Sequence, residues 1–358
     1  MATPSKQTAL NRQDMIRILN LKSHDAIQAV FREAREHRER QFGNQVFLYG
    51  FMYISTYCRN NCQFCFYRIS NSEAIRYRKS MDQILESCQR LADSGVHLID
   101  LSMGEDPEIF HRGQEGFDSL LHTIKAIKAK TGLPVMVSAG VIPEETLKTL
   151  KDAGAAWYAC YQETHNRTLY HKLRSGQDYD HRFESKRRAK KMGYLIEEGL
   201  LTGIGETSED IVDSILTMRD INADQVRVMT FVPQKGTPMA NNTPPDDARE
   251  FLIIALMRLM FPDALIPASL DIGGLAGLEK RLAAGANVVT SLVPPGQGLA
   301  GVVQNSLDIE DGKRTVAGIQ KVLSECGLTS APSKAYPIWI NNHMAARQTT
   351  REEGAPEC

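Results

Sequence analysis

Several things are scarce in this sequence, and each scarcity argues against a class of protein. Net charge is nearly absent: 42 Lys and Arg stand against 43 Asp and Glu, a formal balance of -1. A nucleic-acid binder normally carries a basic excess, so no nucleic-acid partner is expected. No apolar run approaches the roughly 20 residues of a membrane helix, so no membrane partner is expected either. The first residues, Met1-Ala2-Thr3-Pro4-Ser5-Lys6, lack the apolar core of a secretory signal, which makes the cytoplasm the expected compartment. No linker, repeat or low-complexity block breaks the chain. Of the seven cysteines, Cys88, Cys160, Cys326 and Cys358 are scattered and form no second Cys-x2-Cys pair. That argues against paired zinc half-sites and against a disulfide framework.

The other three cysteines are packed together. Cys58, Cys62 and Cys65 lie in the run Tyr57-Cys58-Arg59-Asn60-Asn61-Cys62-Gln63-Phe64-Cys65, a C-x3-C-x2-C spacing. Three thiolates this close can wrap three corners of one iron–sulfur cube and leave the fourth iron open to an outside molecule. A structural zinc site would need a fourth ligand, and ordinary ferredoxin spacing supplies four cysteines rather than three.

From about residue 44 onward, short apolar runs alternate with amphipathic stretches. The expected strands are Val46 to Ile54, His97 to Ser102, Val135 to Ser138, Trp157 to Tyr161, Tyr194 to Thr202, Gln225 to Phe231, Leu265 to Leu270 and Asn287 to Leu292. Helices are expected between them, with a last one near Thr315 to Cys326. This pattern predicts an α/β fold, a (β/α)8 TIM-type barrel. Two helices before it, Asp14 to Leu21 and Ala26 to Phe42, form an N-terminal extension. The expected division is 1–43 for that extension, 44–330 for the barrel and 331–358 for a C-terminal tail.

Barrel enzymes of this type keep their chemistry at the C-terminal strand ends. There the sequence places the cysteine loop, Asp100 to Asp106, Ser138-Ala139-Gly140, Gln162-Glu163-Thr164, Thr202 to Glu206, Ser269-Leu270-Asp271 and Pro294-Pro295-Gly296. Asp100 and Arg227 stand out as charges inside apolar strands. A buried charge needs a partner; a ligand is one, and an internal pair such as Arg227 with Asp271 is another. Asp106 before Pro107 also suits a turn, Glu163 a helix cap, and Gly203 with Gly205 a strand end.

The cysteine spacing closely resembles the radical S-adenosylmethionine (SAM) superfamily. The stretches Gly43 to Val46 and Tyr161-Gln162-Glu163-Thr164, with Leu169 to Arg174 after it, resemble the branch that holds biotin synthase and the hydrogenase maturases. The finer resemblance is to the methylornithine synthases. Leu101 to Pro107, Val226 to Phe231, Ile266 to Asp271 and Gly285 to Ser291 carry it, within a likeness running from about Asn11 to Gly327. It implies a 4Fe-4S cluster on Cys58, Cys62 and Cys65, and SAM bound by Phe64, Ser138, Glu163 and Arg182. L-lysine is implied as the substrate, bound by Asp100, Arg227, Ser269 and Asp271. The implied activity is isomerisation of lysine to 3-methylornithine by hydrogen abstraction, carbon–carbon cleavage and recombination, the first step toward pyrrolysine. A flavodoxin or ferredoxin is implied as electron donor. Lysine's one carboxylate and two ammonium groups match one arginine and two aspartates. The alternatives are a radical enzyme of the same branch acting on another amino acid, and a non-enzymatic iron–sulfur carrier.

Overall fold

In the computed structural model, residues 10–294 and 313–353 are described. Pro295 and Gly296, expected at the end of the last strand, lie outside the described residues, as does Cys358. The chain opens with helices α1 (Arg12–Leu19) and α2 (His24–Phe42) and enters the sheet at β1 (Gln45–Ser55). The next elements are α3 (Met81–Asp93), β2 (Leu98–Met103), α4 (Pro107–Phe110), α5 (Gln114–Thr131), β3 (Val135–Ser138), α6 (Glu144–Asp152) and β4 (Ala155–Ala159). Then come α7 (Arg167–Leu173), α8 (Tyr179–Lys191), β5 (Leu195–Thr202), α9 (Ser208–Asp220), β6 (Gln225–Thr230) and α10 (Asp247–Met260). The chain ends with β7 (Pro267–Ser269), α11 (Gly274–Ala283), β8 (Val288–Leu292), α12 (Val316–Glu325), β9 (Thr329–Ser330) and α13 (Ala335–Glu353).

The strands are parallel, in the order β6-β5-β4-β3-β2-β1-β8-β7. β6 and β7 meet through a Gln225–Leu265 bridge instead of a full ladder, so the eight-stranded barrel is nearly closed. Local sequence sets the helix starts. Capping boxes at Asn11/Asp14, Ser80/Gln83 and Thr207/Asp210 satisfy the first N–H groups of α1, α3 and α9.

Strand alternation divides the core into two layers. In β1, Val46, Leu48, Met52 and Ile54 face the helices. Phe47, Tyr49, Phe51 and Tyr53 face inward. The inward floor gathers Phe47, Tyr49, Leu98, Met136, Trp157, Leu195, Leu265 and Val288 around Tyr336 of α13. Tyr336 is fully buried, and its hydroxyl lies 2.7 Å from that of Tyr49. No element was expected beyond Cys326, because Ala335–Glu353 carries no clean apolar stripe; tertiary packing of Tyr336 and Trp339 on the floor anchors the helix.

All eight expected strands lie within two residues of the observed ends. β4 runs two residues earlier than Trp157 to Tyr161. Cys160 and Tyr161 leave the ladder because the chain turns sharply at Glu163, whose φ is +67°. It then rejoins β5: the Glu163 N–H donates to the Gly199 carbonyl (3.2 Å) and the Leu201 N–H to the Glu163 carbonyl (2.9 Å). Among the described residues no helix is long and apolar enough to cross a membrane.

Candidate active site

At the C-terminal strand ends the barrel opens into a cavity of about 240 Å³. Its wall carries Cys58, Cys62, Phe64, Cys65, Ser138, Glu163, Arg182 and Arg227. Asp100, Ser269 and Asp271 do not line it. Along β2, Leu98 belongs to the floor and Ser102 to the cavity wall, so Asp100 occupies the inward layer between them.

The cysteine loop is held from within. Arg76 donates to the carbonyls of Thr56, Tyr67, Arg68 and Asn71. Gly104 lies beneath it, where a Cβ would come within 2.7 Å of the Cys58 Cβ. Cys62 Sγ accepts from Gln177 Nε2 (3.0 Å) and lies 3.5 Å from Arg174 Nη1, donors that suit a thiolate. Burial pushes the Cys58 and Cys65 thiols up, and neighbouring cysteines add to it. Thiolates at this site therefore call for bound metal. Among the described residues no three His, Cys, Asp or Glu side chains could hold a single metal ion. Three thiols on one loop fit an iron–sulfur cube with one open iron, whereas a structural zinc takes four ligands.

Beside the loop lie two ion pairs, one part-buried and one buried. Glu163 meets Arg174 Nη2 at 3.0 Å. Arg182 donates through Nε to the Tyr161 carbonyl (2.8 Å) and has Glu105 at 3.6 Å. The positive φ of Glu163, sparsely populated outside glycine, turns its side chain out of the strand line. Asn166, not Glu163, caps α7. The wall thus offers a carboxylate and a guanidinium, which suit the ammonium and carboxylate of a methionine end. Phe64 packs with Leu173, Ile204, Phe231 and Met239 and gives an apolar face for a base. These residues fit SAM.

Behind this wall, Glu198 and Lys186 form a salt bridge with both side chains at zero exposure. Burial works against the Glu198 charge, but Lys186, His165 and the Gln162 N–H outweigh it and hold the carboxyl low. Glu198 Oε1 accepts from the N–H groups of Gln162 (2.9 Å) and Gly199 (2.8 Å), which bracket the Glu163 bend. Lys186→Met would strand that carboxylate. The expected loss is roughly 3–5 kcal/mol of stability, read as a lower urea midpoint, accompanied by weaker SAM binding.

The deeper layer holds the charges that stood out in the strands. Arg227 donates through Nε to Glu197 Oε1 at 2.6 Å, and Tyr161 OH donates to Glu197 Oε2 at 2.7 Å. Asp271 accepts from Ser291 Oγ (2.7 Å) and Ser269 Oγ (3.1 Å) and pairs with Arg314 at 3.1 Å. The internal pair considered for Arg227 is therefore with Glu197, and Asp271 has its own cation. Asp100 Oδ1 and Arg227 Nη2 are buried without a partner among the described residues. Burial first, then Glu197 and Asp271, raise the Asp100 carboxyl to about 7, against the pull of Arg227. Asp106 caps α4 and is held by Arg78 through both oxygens, at 2.8 Å each. Gly203 and Gly205 wrap the strand end around the Glu206 carboxylate.

Glu105, Tyr161, Arg174, Glu197 and Arg314 were not singled out by the sequence. Glu197 carried the same signal as Asp100, a charge inside an apolar strand. Glu105, Tyr161 and Arg174 sat within the motifs that carry the resemblance but had no assigned role.

A parallel barrel with three cysteines and a carboxylate–guanidinium wall at one mouth defines a radical SAM enzyme, and the Radical SAM superfamily model matches residues 52–218. The 3-methylornithine synthase of Methanosarcina acetivorans is 42% identical over 327 residues, 91% of this chain and 92% of that protein. A crystal structure of methylornithine synthase superposes with a TM-score of 0.88 at 40% identity, covering 93% of this chain and 97% of that one. The [FeFe] hydrogenase maturase subunit HydE of Thermotoga maritima is 32% identical over 281 residues, 78% of this chain and 79% of that protein. This chain belongs to the methylornithine synthase family.

Proposed function

We propose that this enzyme isomerises L-lysine to 3-methylornithine, a step toward pyrrolysine. In this reading Cys58, Cys62 and Cys65 hold a 4Fe-4S cluster, and Phe64, Ser138, Glu163 and Arg182 bind SAM. Asp100, Arg227, Ser269 and Asp271 bind lysine, and a flavodoxin or ferredoxin supplies the electron. One observation carries the substrate assignment: two buried groups of opposite charge, Asp100 Oδ1 and Arg227 Nη2, have no partner among the described residues. Asp100, Glu197 and Asp271 set three carboxylates against the guanidiniums of Arg227 and Arg314, all buried. With all of them ionised the layer is one negative charge in excess. Lysine brings two ammonium groups and one carboxylate, so its net positive charge balances the layer.

When bound, the cluster and SAM supply a radical able to take hydrogen from an unactivated carbon. The chain's own task is to orient and confine. Arg227 holds the carboxylate end as a fork, and the carboxylates hold the ammonium groups. Both halves of a substrate cleaved between its α and β carbons then stay in register for rejoining. A neutral amino acid would leave the layer charged, which disfavours the reading of another substrate class. Norleucine, which lacks the side-chain ammonium, should bind roughly tenfold to a hundredfold more weakly than lysine, the effect of one charged hydrogen bond. Equal affinity would contradict the proposal.

Asp100 also gives the site a pH response. With its carboxyl raised to about 7, ligand-free enzyme at pH 6 holds it mostly protonated. Lysine's ammonium favours the ionised form, so binding below pH 7 releases a proton. Affinity should rise with pH up to about 7, with a slope approaching about tenfold per unit, the limit for one proton. Isothermal titration calorimetry across pH 5.5–8 checks this, and Asp100→Asn should flatten the profile.

A further inference from the structure

Two opposite charges without partners in one buried layer raise a question of stability. Asp100 lies within electrostatic reach of Arg227 and favours its charged form. Left to themselves, a guanidinium and a carboxylate in a low-dielectric interior would pair. Pairing here would close the carboxylate-binding and the ammonium-binding ends of the site together. Something must hold one of them away.

Glu197 is placed to do that. It has zero exposure, and both of its carboxylate oxygens are taken by protein donors, so it has none to offer a ligand. Its Oε1 takes the Nε hydrogen of Arg227 at 2.6 Å, and its Oε2 is fixed by Tyr161 OH at 2.7 Å. The Tyr161 ring also stands 5.8 Å from the Arg227 guanidinium. With Nε occupied, the remaining polar contact of Arg227 is Nη1 to the Met229 sulfur at 3.9 Å, a weak acceptor. Nη2 has none. The guanidinium is thus pinned by its inner nitrogen while its outer end stays open.

We propose that Glu197, braced by Tyr161, is a positioning residue for substrate recognition: it pins Arg227 away from Asp100, so that the arginine's outer nitrogens meet the amino-acid carboxylate and Asp100 stays free for an ammonium group. This rests on the lysine-site reading above. The titratable groups around Asp100 are Glu197, Arg227 and Asp271, with the tyrosines Tyr49, Tyr161 and Tyr336, which burial keeps protonated.

The test measures lysine and SAM affinities of the cluster-loaded protein under anaerobic conditions for Glu197→Ala, Glu197→Gln, Tyr161→Phe and Arg227→Ala. Glu197→Ala frees Arg227 to pair with Asp100. Lysine should bind at least about tenfold more weakly, SAM affinity should hold, and the pH step in lysine binding should vanish because Asp100 is already ionised. Glu197→Gln keeps an oxygen acceptor for Nε. It should recover most of the affinity and retain a pH step, moved to lower pH by loss of the neighbouring charge. If Glu197→Ala does not fold, Tyr161→Phe carries the test: a severalfold loss confined to lysine supports the proposal, and unchanged lysine affinity overturns it. Glu197→Ala with parental lysine affinity, or Gln no better than Ala, also overturns it. If Arg227→Ala itself binds lysine normally, the lysine-site reading falls instead; if Arg227→Ala is weak while Glu197→Ala is normal, only the positioning role falls.

Discussion

Arg227→Ala should weaken lysine binding by a factor of roughly 30 to several thousand and leave SAM binding within about threefold. The magnitude follows from truncating one member of a buried charge pair, roughly 2–5 kcal/mol, at about 1.4 kcal/mol per factor of ten. Arg227 sits at 6% exposure, bonded to Glu197 through Nε, with its outer nitrogens uncommitted to any oxygen of the described residues. Arg227→Lys should be nearly as damaging although it keeps the charge. An ammonium is a point charge on a flexible stem; it cannot satisfy Glu197 and fork onto a carboxylate together. Glu163 and Arg182, the groups proposed for SAM, pair with Arg174 and Glu105 instead, so they should not respond. Calorimetric titration of both ligands on each variant makes the comparison.

Loss of any one of Cys58, Cys62 or Cys65 should remove the cluster and all turnover, because three corners are the fewest that hold the cube with one iron open. Iron and acid-labile sulfide per chain should fall to background in each Cys→Ala variant. Cys88 and Cys160, buried in the layer between strands and helices, and Cys326 beside it should tolerate Ala with full iron content. A cluster that survives Cys62→Ala would overturn the ligand assignment.

The barrel was legible because its strands are buried on one face by helices and on the other by the floor and cavity, which forces apolar runs separated by capped helices. Val135–Ser138 was placed to the residue and Thr202 ended its strand as expected. α13 was not legible, since its place depends on Tyr336 and Trp339 meeting floor residues hundreds of positions earlier. The same limit applied at the site. Asp100 and Arg227 announced themselves as charges in apolar strands. Their pairing did not: Glu197 carried the same signal, but that it meets Arg227, and Arg314 meets Asp271, is known only once β5, β6 and the chain after β8 are brought together. A match of lysine to one arginine and two aspartates therefore rested on an incomplete set of charges. Glu197 and Arg314 enter as an additional pair and leave the balance at one negative charge.

The most direct measurement is the identity of the product. Purified protein loaded with its cluster is incubated anaerobically with L-lysine, SAM and a reductant, and the amino acids are separated by mass and chirality. The account predicts a new amino acid isobaric with lysine that carries a methyl branch and co-migrates with 3-methylornithine. It requires lysine, a cluster and SAM together, and it is absent from Arg227→Ala. Lysine recovered unchanged while another amino acid is consumed under the same conditions would contradict it.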